Sequence, residues 1–194
     1  MQALFAPQRI ALIGASSDPG RLTARAQLSL RRHGYTGALF PVNPRAAEVL
    51  GEPAYARLGD VPGAVDLAYI LLGTEHVEQA VADCAARRVP VACILADGFA
   101  EAGPEGAALQ ARLVAIAHEG GMRLLGPNSM GIINLPAHVA CSVNAALEAD
   151  DLPGGRWSVV SQSGSIMGTL LSRAAARGFG FAKVFGTGNE ADLS

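Results

Sequence analysis

The chain has 194 residues and a mass of 19.9 kDa; 50% of its residues are hydrophobic, 16% charged and 5% aromatic. Half the chain being apolar, it can bury a core and is not disordered, and the length allows one domain or one domain and part of a second. Fifteen basic residues against 17 acidic give a net charge of −2 and an isoelectric point near 6.1, without the basic footprint or the aromatic platform that would make nucleic acid a partner.

Three cysteines, Cys84, Cys93 and Cys141, are too few and too widely spaced for a disulfide framework or a zinc site. Residues 1–9 hold no basic segment followed by a long apolar stretch, and no apolar run approaches membrane-spanning length. The expectation is a soluble, cytoplasmic chain with no metal and no membrane contact. The 23 glycines and 11 prolines gather where apolar runs end, as α/β loops do.

Residues 9–13 (RIALI) form a short apolar run that stops at Gly14 and predict a buried parallel strand. After a loop over 15–20, Leu22, Ala26 and Leu30 recur every four residues, so a helix runs to about His33 and ends at Gly34. Residues 38–42 (ALFPV) read as a second strand. Pro44, Pro53 and Pro62 then limit the segment 43–62 to a turn or two of helix. Residues 65–72 (VDLAYILL) give the clearest strand of the sequence. Val77, Ala80, Val81, Cys84 and Ala85 follow at the spacing of an amphipathic helix.

A fourth strand is expected over 89–95 (VPVACIL), with Pro90 at its start. Leu109, Leu113, Ile116 and Ala117 mark the next helix, which Gly120 and Gly121 end, and 122–125 (MRLL) is a fifth strand. Strand and helix alternate throughout, so the fold class is α/β, a doubly wound parallel sheet with right-handed crossovers. Residues 135–155 show no period and read as a linker. A single βαβ unit then follows: a strand at 157–161 (WSVVS), a helix through Met167, Leu170, Leu171 and Ala174, and a strand at 181–185 (FAKVF). Roughly 40 residues is near the least that folds unaided. The second unit is therefore expected to be incomplete, with an apolar face left uncovered that favours association, including a homo-oligomer.

The loop from Gly14 to Gly20 joins the first strand to the first helix, where backbone N–H groups and the helix dipole face an anion. Ser16 and Ser17 add hydroxyl donors, Gly20 allows close approach and Arg21 adds a positive charge. The loop is not G-x-G-x-x-G, and Asp18 with Pro19 could do no more than cap the helix. A fold that prefers NAD places an acid near the end of the second strand. Here that end reads FPVNPR, with Asn43 and Arg45 in place of an acid. A guanidinium suits an additional ribose phosphate, as in CoA or NADP, unless Arg45 simply faces solvent. Asp97 after the fourth strand, and Pro127 with Asn128 after the fifth, lie at the same carboxyl edge, although each could serve only its own turn.

The segment Ser161-Gln-Ser-Gly-Ser165 also joins a strand to a helix, and its N–H groups and hydroxyls can hold a carboxylate or a phosphoryl group. A serine-hydrolase elbow needs G-x-S-x-G followed by Asp and then His, and no histidine follows Ser163. The turn carrying Asn189 and Glu190 faces the same edge, where Glu190 is either an acid supporting phosphoryl chemistry or a helix-start acid.

Taken in order, IGASSDPG (13–20), PVNP (41–44), DGFAE (97–101), LGPN (125–128), SQSG (161–164) and GNEAD (188–192) resemble the NDP-forming acyl-CoA synthetases, relatives of the succinyl-CoA synthetase alpha subunit. The resemblance spans essentially the whole chain. It implies a Rossmann-like CoA-binding domain over 1–135, a linker over 136–155 and the truncated start of a flavodoxin-like ligase domain over 156–194. It further implies that Ser16, Ser17, Asp18, Pro19, Gly20 and Arg21, with Asn43 and Arg45, hold the CoA phosphates. Ala96, Asp97, Gly98, Pro127 and Asn128 would line the pantetheine arm, and Ser161, Ser163, Gly164, Ser165, Asn189 and Glu190 the phosphoryl loop. Two positions depart from the pattern: Ser129 stands where many members carry Cys, and Leu22-Thr23 where a further glycine is common.

In that family a histidine passes a phosphoryl group between acyl phosphate and nucleotide. None of His33, His76, His118 and His138 fits the role, so no catalytic residue is assigned in this chain and the histidine is expected beyond Ser194. ATP and Mg are expected only on further ligase and ATP-grasp domains or a partner subunit. The implied function is the CoA-binding part of an acid–thiol ligase that joins a small carboxylic acid to CoA, inactive alone. Two alternatives stay open, namely a CoA-sensing module like that of synthetase-like protein acetyltransferases and a non-catalytic NADP- or nucleotide-binding regulatory module.

Overall fold

The computed structural model describes residues 2–193. A short helix α1 (Gln2–Phe5) leads into strand β1 (Arg9–Ile13), helix α2 (Arg25–Arg32), strand β2 (Ala38–Val42) and a hairpin of β3 (Glu48–Val49) with β4 (Glu52–Pro53). Then come β5 (Leu67–Ile70), α3 (Thr74–Ala86), β6 (Val91–Ile94), α4 (Pro104–Glu119) and β7 (Arg123–Leu125). The remainder is β8 (Gly131–Asn134), β9 (Val139–Ser142), β10 (Trp157–Ser161), α5 (Gly164–Ala175) and β11 (Phe181–Gly186).

The first sheet has the order β2-β1-β5-β6-β7 and its strand pairs are parallel. Its central strands β5 and β6 are apolar end to end because both faces are covered: every residue of each is buried. On one face α3 and α4 contribute Val77, Val81, Cys84, Leu113 and Ala117 to a core with Ala68, Ile70 and Ile94. On the other, Ala26 and Leu30 of α2 pack with Ile10, Leu12, Leu67 and Tyr69. The crossover from β1 to β2 runs over one face and those from β5 onward over the other, so strand order reverses between β1 and β5. Ligands of open α/β sheets bind at that reversal, outside the carboxyl ends of the strands.

Two expectations are overturned in the second half. The segment read as a linker holds β9 and a 3-10 turn at Ala145–Glu148. Moreover, β10 and β11 are not a lone pair, because β11 pairs antiparallel with β8 and β8 with β9 in a sheet of order β10-β11-β8-β9. The strands β8 and β9 are four residues each and buried throughout, so no alternation marks them in the sequence. One face of this sheet lies under α5, with Ile133, Ala140, Met167, Leu171 and Val184 in contact, and the other closes onto the α2 side of the first sheet through Ile132, Val139, Cys141 and Phe185. Exposed apolar side chains are confined largely to the β10 edge and the outer side of α5: Trp157 and Val160 stay 65% and 63% exposed. Among the described residues no helix is long and apolar enough to cross a membrane, and no cluster of His, Cys, Asp or Glu could hold a metal ion.

Candidate functional site

The carboxyl end of β1 opens into a cleft of about 750 Å³, lined by the loop after β1, the end of β2, the segment following β4 and the first turns of α3. The loop turns at Gly14, whose φ of +89° is a left-handed conformation, and a Cβ there would meet Leu72 Cδ2 at 2.7 Å. Ser16, Ser17, Asp18 and Arg21 line the cleft from this loop, Asn43 and Arg45 from the end of β2. Within the loop Ser16 Oγ accepts the Asp18 N–H at 3.1 Å, and Asp18 Oδ1 accepts the Gly20 N–H at 3.0 Å. Asp18 thus shapes the turn, and Arg21 lies 3.8 Å from its carboxylate. Among the described residues the N–H groups of Ser16 and Ser17 find no acceptor, which leaves two adjacent donors at the mouth of the helix-bearing loop.

Asn43 spends both ends of its amide on structure. Nδ2 donates to the Ala15 carbonyl at 2.9 Å and Oδ1 accepts the Arg45 N–H at 2.8 Å. The Arg45 side chain is exposed and has no partner among the described residues. Pro19 and Gly20 do not line the cleft; they border a smaller groove of about 420 Å³ on the opposite side of the loop, facing α2 and Glu148.

The loops after β6 and β7 form a second cluster beyond α3. Thr74 Oγ1, at the start of α3, donates to the Asp97 carbonyl at 2.7 Å, and the Asn128 N–H donates to the Ala96 carbonyl at 2.7 Å. Gly98 and Asn128 both have positive φ, and Pro127 is buried in a cis peptide after Gly126. A third cluster joins the loops after β10 and β11. The hydroxyls of Ser161 and Ser163 are engaged locally: Ser161 Oγ accepts the Ser163 N–H at 3.2 Å, and Ser163 caps α5 by accepting the Ile166 N–H at 3.3 Å. Gly164 and Ser165 then open the helix with their N–H groups unbonded among the described residues. The Glu190 carboxylate accepts from Gln162 Nε2 at 2.7 Å and from Thr187 Oγ1 at 2.9 Å. Asn189 instead turns toward Glu101 and Gln110.

Arg57, His76 and Gln79 also line the cleft and were missed in the sequence. Arg57 sits in the proline-broken segment, which carries no period; a parallel bridge from Val42 to Tyr55 brings it beside β2. His76 and Gln79 face the cleft from α3, whose apolar stripe reveals only its buried side. The other histidines are used in packing: His33 Nε2 contacts the Leu147 carbonyl at 3.0 Å, His138 Nδ1 the His33 carbonyl at 3.1 Å and His118 Nε2 the Asp192 carboxylate at 3.0 Å.

The profile of a family described as CoA binding domain matches residues 8–134. The chain belongs to this CoA-binding domain family. Residues 154–194 of this family member match a second description, a succinyl-CoA ligase-like flavodoxin domain. The CoA-binding chain is 37% identical over 193 residues to acetate–CoA ligase [ADP-forming] I of Archaeoglobus fulgidus, covering 100% of this chain and 27% of that protein. It is 36% identical to the alpha subunit of acetate–CoA ligase [ADP-forming] II of Pyrococcus furiosus, covering 97% of this chain and 40% of that subunit. Among solved structures, the apo form of the dinucleotide-forming acetyl-coenzyme A synthetase 1 of Ca. Korarchaeum cryptofilum superposes with a TM-score of 0.93 at 33% identity, covering 100% of this chain and 41% of that one. The chain therefore spans well under half the length of these relatives, which are acid–thiol ligases, and corresponds to their CoA-binding part.

Proposed function

We propose that this chain binds coenzyme A along the carboxyl edge of its five-stranded sheet and is the CoA-binding part of an NDP-forming acyl-CoA synthetase. The end of β2 carries the reading. It presents Arg45, with Arg57 on the same cleft, where a fold that prefers NAD would present an acid. Beside it stand the unbonded N–H groups of Ser16 and Ser17. Donors without acceptors, and an Arg45 guanidinium without a carboxylate partner among the described residues, suit a ligand with a diphosphate and a further ribose phosphate, and Arg57, 3.6 Å from Asp60, adds positive charge to the same cleft.

In this reading Ser16, Ser17 and Arg21 hold the diphosphate, and Arg45 and Arg57 the ribose phosphate. Asn43 and Asp18 set the geometry of the two loops. The segments at 96–98 and 127–128 support the pantetheine arm. Bound CoA supplies the thiol that ends in the thioester. For the whole enzyme we propose the relatives' reaction, in which a carboxylic acid and CoA are joined at the expense of ATP. ATP, Mg and a phosphorylated histidine belong to parts outside this chain. The N–H groups of Gly164 and Ser165 at the start of α5 would face the phosphoryl or carboxylate end, with Glu190 beside them. Calorimetric titration with CoA, 3′-dephospho-CoA and NADP tests the reading. CoA should bind at least about tenfold more tightly than dephospho-CoA, about 1.4 kcal/mol. Tighter binding of NADP, or equal binding of the two CoA forms, overturns it.

A further inference from the structure

Two loops from two sheets meet on one carboxylate, and a third loop is tied to the second. Glu101 lies in the short turn Ala100–Ala102 that follows the loop after β6. Its Oε1 accepts the N–H groups of Gly98 at 2.6 Å and Phe99 at 3.2 Å, and its Oε2 accepts from the amide of Asn189, which follows β11. The same Asn189 nitrogen donates to Gln110 Oε1 on α4 at 3.0 Å. The backbone N–H of Asn189 donates to the Pro127 carbonyl at 2.9 Å and that of Ala191 to the Gly126 carbonyl at 3.2 Å, so the loop after β7 is drawn into the same junction. Burial alone would raise the Glu101 carboxyl, but the Asn189 amide and the backbone N–H groups outweigh it and hold it below the ordinary carboxylate range. Glu101 is therefore ionised, and an acceptor only, at neutral pH.

Gly98 has a φ of +85° and is exposed, and among the described residues its N–H and that of Phe99 have no acceptor besides Glu101. On the other side, the residue after Asn189 is Glu190, whose carboxylate Gln162 and Thr187 hold. Fixing either loop removes freedom from the other, and coupling of this kind is reciprocal.

We propose that Glu101 is a positioning residue that, through Asn189, couples the loop at 96–99 to the loop at 187–191, so that CoA held on the first orders the second. The proposal rests on the CoA reading of residues 96–98. It is tested by amide hydrogen exchange at Asn189, Glu190 and Ala191, with and without saturating CoA. The chain is compared with Glu101→Gln, Asn189→Ala and the double variant Glu101→Gln/Asn189→Asp. Glutamine at 101 keeps an acceptor for Gly98 and Phe99 but turns an NH2 toward the Asn189 NH2. The double change restores a carboxylate–amide pair with its polarity reversed. CoA should slow exchange at these amides at least about fivefold in the unaltered chain and in the double variant, and less than about twofold in either single variant. Equal protection in the single variants, or none in the unaltered chain despite CoA binding, overturns the coupling. Failure of the unaltered chain to bind CoA overturns instead the reading beneath it. If Glu101→Gln does not fold, Asn189→Ala, which leaves the Gly98 and Phe99 bonds intact, decides alone.

Discussion

Asn43 Nδ2 donates to the Ala15 carbonyl across 2.9 Å, fastening the end of β2 to the loop after β1 at the reversal of strand order. The bond sets the distance between the Ser16–Ser17 donors and Arg45, whose N–H rests on Asn43 Oδ1 at 2.8 Å. Asn43→Asp keeps the second bond and turns an acceptor against the Ala15 carbonyl. The expected cost is about 1–3 kcal/mol of unfolding free energy, read from urea denaturation, and CoA binding weaker by about tenfold. Unchanged CoA affinity in a folded variant would remove Asn43 from the positioning of the cleft.

Arg45 makes no side-chain bond among the described residues, so its removal leaves nothing orphaned in the fold. Arg45→Ala should leave thermal stability within about 0.5 kcal/mol, as for ordinary surface substitutions. Its effect belongs to the ligand. CoA affinity should fall about tenfold while dephospho-CoA affinity stays level, closing the gap between the two. A parallel loss for both ligands would place Arg45 against the diphosphate instead.

The first sheet was readable because its strands are short, mostly apolar runs, as in RIALI closed by Gly14, and its helices carry one-sided stripes. Ser16, Ser17, Asp18, Arg21, Asn43 and Arg45 were legible as candidates because their place in the strand–loop–helix rhythm puts them at the carboxyl edge of the sheet, where they line the cleft. The hairpin of β8 and β9 was not, because buried strands of four residues next to Pro136 have neither alternation nor length. Arg57 depends on a tertiary bridge between Val42 and Tyr55 that no local pattern announces. Glu101 lies within the recognised DGFAE run, yet its partner Asn189 is 88 positions away, and only the folded chain pairs them.

Asp192 ties the end of the described chain to β7. Its side chain is 4% exposed, with Arg123 Nε at 2.8 Å, the Leu124 N–H at 2.7 Å and His118 Nε2 at 3.0 Å. Burial alone would raise its carboxyl, but Arg123, the Leu124 N–H and His118 outweigh that and hold it below the usual aspartate value. A depressed folded-state value adds stability that is complete above the unfolded value, near 4, and is lost as pH falls through the folded one. Asp192→Asn should therefore lower the urea midpoint at pH 7. Because Arg123 is half exposed, the loss should be at the low end of the range for charged hydrogen bonds, about 1.5 kcal/mol. The two proteins should converge as the pH is taken toward 2. A constant difference across that interval would show that the charge of Asp192 is not what matters.

Ser129 joins the two sheets and is fully buried. Its Oγ donates to the Gly186 carbonyl of β11 while accepting the Gly131 N–H at 3.1 Å and the Cys93 thiol at 3.4 Å. Its carbonyl accepts the Tyr69 hydroxyl at 3.2 Å, and its N–H donates to the Ile94 carbonyl at 2.9 Å. Burial raises the Cys93 thiol to about 12 against the lowering effect of Ser129, so the thiol stays protonated and is a donor here. Ser129→Ala strips the acceptor from the Gly131 N–H and the donor from the Gly186 carbonyl at once, at a fully buried position. The expected cost is about 1–3 kcal/mol, or roughly 2–4 °C in Tm for each kcal/mol in a chain of this size. Ser129→Cys retains a weak donor and acceptor at the same place and should lose less. If the alanine and cysteine variants melt together, the loss comes from volume at the sheet junction and not from the hydrogen bonds that cross it.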